Sequence, residues 1–302
     1  MEYCTQVPST IVPAVRRIIV IGDIHGDWTA YKSSLKAAGV TNHHNDWTGG
    51  DTNVVQVGDL VDRKSRNGTG DEKSESKILR HLFDLKSKAR AAGGDIHVLL
   101  GNHEIMNVMG DFRYVSPMGM TDFDGKREQY FRPGGKIAKK LACNTNAVLK
   151  IGSWLFSHAG VKADLADLYS LEEINMHVRD FMLGNRKMNR DDPIMDIFWH
   201  RDYSNNNPGH CKQVQKSLNR WQAKNMAVGH TVQENGINSS CSDSLWRVDV
   251  GSSAAFGVQH KKQKGSKGSK GSKGSSCYIE VLEILDDGDQ IKVIKGDKPC
   301  KL

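Results

Sequence analysis

The sequence predicts an α/β fold, and three observations carry that reading. Short β-branched runs end abruptly in glycine or serine and a polar cluster, helical apolar stripes fall between them, and the runs are far too short to cross a membrane. The runs are IIVIGDIHG (Ile18–Gly26), VVQVGDLVDR (Val54–Arg63), HVLLGNHE (His97–Glu104), SWLFSHAG (Ser153–Gly160) and MAVGHT (Met226–Thr231). Apolar runs bounded by turn residues fit strands buried on both faces. Trp28, Tyr31, Leu35 and Ala38 recur at helical spacing, with Asp27 as N-cap and Gly39 past the end. Ile78, Leu82, Leu85 and Ala89 form a second stripe, closed by Gly93 and Gly94. After Ala227 the pattern turns to strands, Leu245–Val250, Cys277–Leu285 and Gln290–Ile294, the last two joined across DDGD as a hairpin.

The chain has 302 residues and a formal charge of +7. Six lysines, with no acid, lie in the segment from Gly257 to Ser276, and removing them leaves +1, so a basic surface along the whole chain is excluded. The Lys-Gly-Ser repeat within that segment is expected to be a disordered surface loop, because it has no apolar surface to offset the entropy of ordering. No domain boundary is visible. Neither a signal peptide nor a spanning segment is expected, which makes the cytoplasm the default location. The six cysteines are scattered without metal-type spacing and read as reduced thiols of an intracellular protein. Trp154, Trp199 and Trp246 read as core, and Asp111 and Arg113 as a pair supporting the site.

Polar groups just beyond the carboxyl ends of buried strands are where α/β proteins assemble sites. Here they are Asp23 and His25, then Asp59, Asp62 and Arg63, then Asn102 and His103, then His158, then His230. Carboxylate, imidazole and amide groups gathered from five strand ends are costly to bury unless something pairs with them. Two divalent metals would do so. Oxygen and nitrogen donors without thiolate favour Mn²⁺, with Fe or Zn²⁺ as the other choices.

These motifs carry a resemblance. GDIHG, GDLVDR and GNHE resemble the signature motifs of PPP-type metallophosphatases in the calcineurin-like metallophosphoesterase superfamily. GNHEIMNVMGDFRYV, SHAG, FWHRDYS, GHT and WRVDVG are similar to the Shewanella-like protein phosphatase branch. The resemblance implies an α/β/β/α sandwich, two mixed sheets flanked by helices, formed by one domain over residues 14–298 with the disordered loop at 259–276. It implies that Asp23 and His25 bind one metal, that Asp59 bridges both, and that Asn102, His158 and His230 complete the other. Arg63 and Arg201 would grip the phosphoryl oxygens, and His103, oriented by Asp62, would protonate the leaving oxygen while a metal-bridging hydroxide attacks phosphorus. Lys64 stands where the family has glycine, and strain beside Arg63 is expected if that position needs a special backbone angle.

The function implied is a phosphoprotein phosphatase acting on phosphorylated proteins or peptides, with serine/threonine or tyrosine preference open. Alternatives are a dinucleoside-polyphosphate or RNA-cap hydrolase of the same fold, and a non-catalytic docking scaffold. No membrane partner is expected, and nucleic acid only through the Lys-rich loop.

Overall fold

Every residue of the strand Arg17–Ile21 after the first is buried, so side chains on both of its faces need an apolar partner. A four-layer arrangement supplies it. The structure, a computed structural model, describes residues 4–64, 71–205, 207, 209–256 and 278–296. One six-stranded sheet has the order β1 (Ile11–Val12), β6 (Val148–Ile151), β7 (Trp154–Ser157), β8 (Asn225–Val228), β10 (Leu245–Arg247), β9 (Asn238–Ser240). The other, also of six strands, runs β12 (Gln290–Lys295), β11 (Glu280–Leu285), β2 (Arg17–Ile21), β3 (Asn53–Gln56), β4 (Asp95–Leu99), β5 (Thr145–Asn146). Both are mixed: β2, β3, β4 and β5 are parallel, whereas β11 runs antiparallel to β2 and β12. In the first sheet β7, β8 and β10 are parallel, and β6 is antiparallel to β7.

Alternate residues divide between two cores. Ile18, Val20, Val55, Val57 and Leu99 meet Leu149, Trp154, Phe156 and Ala227 between the sheets. Ile19, Ile21, Val54, Ile96 and Val98 face the other way, onto α1 (Trp28–Ala37) and α2 (Glu75–Ala91). The expected caps and stripes are present: Asp27 accepts from the Ala30 amide, and Tyr31, Leu35, Ile78, Leu82, Leu85 and Ala89 are buried. Four short helices link β4 to β5, namely α3 (Asn102–Val108), α4 (Pro117–Thr121), α5 (Arg127–Phe131) and α6 (Lys136–Asn144). The outer face of the first sheet is covered by α7 (Leu171–Leu183), started by a capping box between Ser170 and Glu173. Two further helices, α8 (Asp196–Trp199) and α9 (His210–Arg220), lead into β8. Among the described residues no helix is long and apolar enough to cross a membrane.

One expectation is overturned. Cys4 is bonded to Cys143 and Cys211 to Cys241, so four of the six cysteines are not reduced thiols. The partners lie 139 and 30 residues apart, pairings that the fold creates and chain spacing does not announce. Cys277, Cys300 and the expected disordered loop at 259–276 lie outside the described residues.

Candidate active site

All five predicted strand ends open at one edge of the sandwich, and Asp59 stands at their meeting point. Its Oδ2 lies 3.3 Å from His158 Nε2, 3.6 Å from His25 Nε2 and 3.9 Å from His103 Nε2. Two groups of donors converge on it, His25, Asp59 and His103 in one and Asp59, His158 and His230 in the other, with the ligand atoms of each group within 4.8 Å of one another. Asn102 Oδ1 joins the second group, 2.9 Å from His158 Nε2 and 3.0 Å from His230 Nδ1. Asp23 lies against the first, 3.9 Å from His25 Nε2, and accepts from the His230 amide at 3.1 Å.

The backbone is bent to make this possible. His25, Asp59, Asp62 and His230 have φ of 44°, 54°, 71° and 67°, a region non-glycine residues seldom occupy. Gly101 permits the closest approach: a Cβ there would sit 2.1 Å from Asp59 Oδ1. Glu104, fully buried, clamps the turn by accepting from the amides of Asp59, Leu60 and Gly101 at 2.9, 2.8 and 2.7 Å. Burial, reinforced by the charge of Asp59, pushes its carboxyl up to about 7.

Electrostatics fit cations. Burial first, then repulsion from Asp249 and Asp59, raises Asp23 well above the usual carboxylate range. Against its own burial penalty, the imidazoles of His158 and His103 hold Asp59 well below that range. Burial keeps His230 neutral, pushing it down to about 2. The Val57 carbonyl accepts from His158 Nδ1 at 2.9 Å, so Nε2 is the atom turned toward Asp59. Carboxylates, imidazoles and an amide oxygen without thiolate are a donor set for divalent ions of intermediate hardness. These residues fit a metal pair.

His103 faces the same cleft, and its Nδ1 donates to Asp62 Oδ2 at 2.8 Å. Burial opposes its charge, but Asp59 and the Asp62 hydrogen bond outweigh that and push it up to about 9. Asp62 Oδ1 in turn accepts from Arg127 Nη2 and Asn107 Nδ2, each at 2.8 Å. Arg127 and Asn107 escaped the sequence reading. Arg127 sits on a short helix with no motif of its own, and Asn107, one helical turn after His103 within GNHEIMNVMGDFRYV, carries no role in that reading.

The predicted arginines separate. Arg201 lines the cleft, donating to the His230 carbonyl at 3.1 Å and Thr231 Oγ1 at 2.7 Å. The structure does not bring Arg63 there. Its buried guanidinium pairs with Asp27 at 2.6 Å and Glu72 at 3.2 Å, drawn toward the start of α1. Lys64 also differs from expectation: its φ is not positive, the left-handed angle falling at Asp62 instead, and its amide donates to the Tyr114 carbonyl at 3.0 Å.

The cleft has a volume of about 110 Å³. Tyr114 and Trp199 divide it from a larger one of about 330 Å³ walled by Ile105, Met106, Met109 and Met195. Trp199, expected in the core, is 40% exposed on that divide, whereas Trp154 is buried as expected. Asp111 and Arg113 do pair, at 2.7 Å, and Asp111 also holds Arg190 at 3.1 Å on the rim of the larger cleft.

Comparison with known proteins agrees with this arrangement. Residues 16–234 match the model of the calcineurin-like phosphoesterase family. Shewanella-like protein phosphatase 2 of Arabidopsis thaliana is 34% identical over 289 residues, covering 78% of this chain and 71% of the relative. Shewanella-like protein phosphatase 1 of Plasmodium berghei is 28% identical, covering 78% and 67%. Among solved structures, the cold-active protein tyrosine phosphatase of a psychrophilic Shewanella species superposes with a TM-score of 0.73 at 20% identity, covering 97% of this chain and 84% of that one. The chain therefore belongs to the calcineurin-like phosphoesterase family, in its Shewanella-like protein phosphatase branch, and is a metal-dependent hydrolase of phosphate esters.

Proposed function

We propose that this enzyme removes phosphate from phosphorylated proteins or peptides, and that Mn²⁺ is its working metal. The observation that carries the reading is the single carboxylate of Asp59 shared by two groups of ligand atoms, with His103 beside it. Asp23, His25 and Asp59 would hold one ion; Asp59, Asn102, His158 and His230 would hold the other. Two divalent ions, when bound, supply a water activated near neutral pH and neutralise charge on the phosphoryl group.

The chain's own groups do the rest. His103 Nε2 delivers a proton to the leaving oxygen, and Asp62 fixes the ring by accepting a hydrogen bond from Nδ1–H. Arg201, tied to the loop that carries His230, grips the phosphoryl oxygens. Arg63, engaged by Asp27 and Glu72, orders the turn behind them. The ring walls of Tyr114 and Trp199 and the apolar cleft beyond favour an aryl leaving group, which makes phosphotyrosine peptides the first to assay.

The test is a panel of phosphotyrosine, phosphoserine and phosphothreonine peptides beside a dinucleoside tetraphosphate and capped RNA, each with Mn²⁺, Fe²⁺ or Zn²⁺. Release of phosphate from peptides in Mn²⁺ is expected. Cleavage of the nucleotide substrates with none of the peptides would overturn the reading, and no turnover of any substrate would favour a docking scaffold.

A further inference from the structure

Resting on the two-metal reading above, we infer that Asp249 is an additional protein ligand of the metal position held by Asp23 and His25. Asp249 lies just past β10, in a strand extension whose sequence motif gives it no role. It is only 2% exposed, yet it lines the cleft together with His25 and Asp59. It is held there by a close backbone approach. A Cβ on Gly22 would sit 2.2 Å from the Val248 carbonyl oxygen and 3.1 Å from Asp249 Cα, so the strand end bearing Asp23 and the one bearing Asp249 are pressed together.

The side chain is tethered at one of its two oxygens. The Gly251 amide donates to Asp249 Oδ1 at 2.9 Å, which fixes the carboxylate, and among the described residues no donor is bonded to Oδ2. Asp59 and Asp249 face the cleft and Asp23 is buried beside it, and buried carboxylates so gathered are mutually destabilising unless cations sit among them. The donor count points to which position is served: Asn102, His158 and His230 join Asp59 at one, whereas only Asp23 and His25 join it at the other. Asp249 makes the two equal.

A competing role, orienting Arg201, finds no support in the hydrogen bonds, because that guanidinium donates to the His230 carbonyl and Thr231.

The experiment titrates Mn²⁺ into the metal-free full chain at pH 8, as wild type, Asp249→Asn, Asp249→Ala and Arg201→Ala. Ion count and affinity come from calorimetry, spin coupling between ions from electron paramagnetic resonance, and melting temperature is recorded without metal. Wild type and Arg201→Ala are expected to bind two coupled ions. Both Asp249 variants should keep one ion at wild-type affinity, bind the second at least ~10-fold more weakly and give an uncoupled spectrum. Asp249→Asn should melt no lower than wild type without metal, since one of three repelling charges is gone. Two coupled ions at wild-type affinity in both Asp249 variants would overturn the inference, as would a lowered metal-free melting temperature with metal binding intact. A wild-type chain binding fewer than two ions would overturn the two-metal reading itself, and the inference with it.

Discussion

Arg127 Nη2 stands 2.8 Å from Asp62 Oδ1, deep under the cleft, and both side chains are fully buried. Its Nη1 holds Glu75 at 2.7 Å and its Nε donates to Asn107 Oδ1 at 2.7 Å, so one guanidinium bridges two carboxylates and orders an amide. Arg127→Met leaves Glu75 without its guanidinium and Asp62 with only His103 and Asn107, and should cost about 3–5 kcal/mol in denaturant unfolding. Arg127→Lys keeps the charge but loses the fork, and should lie between. An unchanged unfolding midpoint for Arg127→Met would show that the pair contributes no net stability.

His103→Gln removes the group placed to protonate the leaving oxygen, and should lower turnover of an activated aryl phosphate by about 10²-fold or more. Metal content should stay at the wild-type value. A drop in bound metal instead of turnover per metal would assign His103 to coordination.

Bound metal should stabilise the fold through Asp59, the carboxylate common to both ligand groups. At 100 times the dissociation constant a single ion adds about 2.7 kcal/mol. Asp59→Asn should abolish most of the rise in melting temperature that Mn²⁺ gives the wild type. Chelator should return the wild type to its metal-free melting point.

His97, remote from the cleft, gives the fold an acid sensitivity. Burial pushes its pKa down to about 4, and its Nε2 meets Asn53 Oδ1 at 2.9 Å. The unfolded chain takes up this proton below about 6.5 while the fold does not, so stability is complete above that pH. It is lost as pH falls toward 4, by about 1.4 kcal/mol per unit and about 3 kcal/mol in all. Unfolding curves with chelator present should show His97→Gln flatter than wild type between pH 6.5 and 4. Parallel curves would place the sensitivity elsewhere.

Peptide mapping without reductant should recover Cys4 joined to Cys143 and Cys211 joined to Cys241. Paired Cys4→Ser and Cys143→Ser substitutions should cost about 2–5 kcal/mol. Recovery of these four cysteines as unlinked peptides would refute the pairing.

The site's strand ends were legible because each buried strand is short, apolar on both faces, and halted by residues with no packing reason to be there. Asp27 as a cap and the two helical stripes were legible for local reasons, since cap and spacing lie within a few residues. What sequence withheld was long-range. Arg127 meets Asp62 across 65 positions, and Cys4 meets Cys143 across 139. Arg63 sits in its motif but turns to Asp27 and Glu72, a choice made by neighbours outside the motif. Trp199 read as core by residue type alone, because nothing local distinguishes an indole under a sheet from one beside a cleft. The linking helices between β4 and β5 are five to nine residues long, too short for a periodic stripe to stand out.

The positive φ angles at His25, Asp59, Asp62 and His230 set heat tolerance against turnover at the same codons. A library selected only for survival at high temperature with chelator present would be drawn to glycine at His25 and His230, where relaxing the backbone is rewarded and the Arg127–Asp62 pair is left intact. The clones it returned would be sturdy and inert, so a breeder of this enzyme must screen for product as well as for survival.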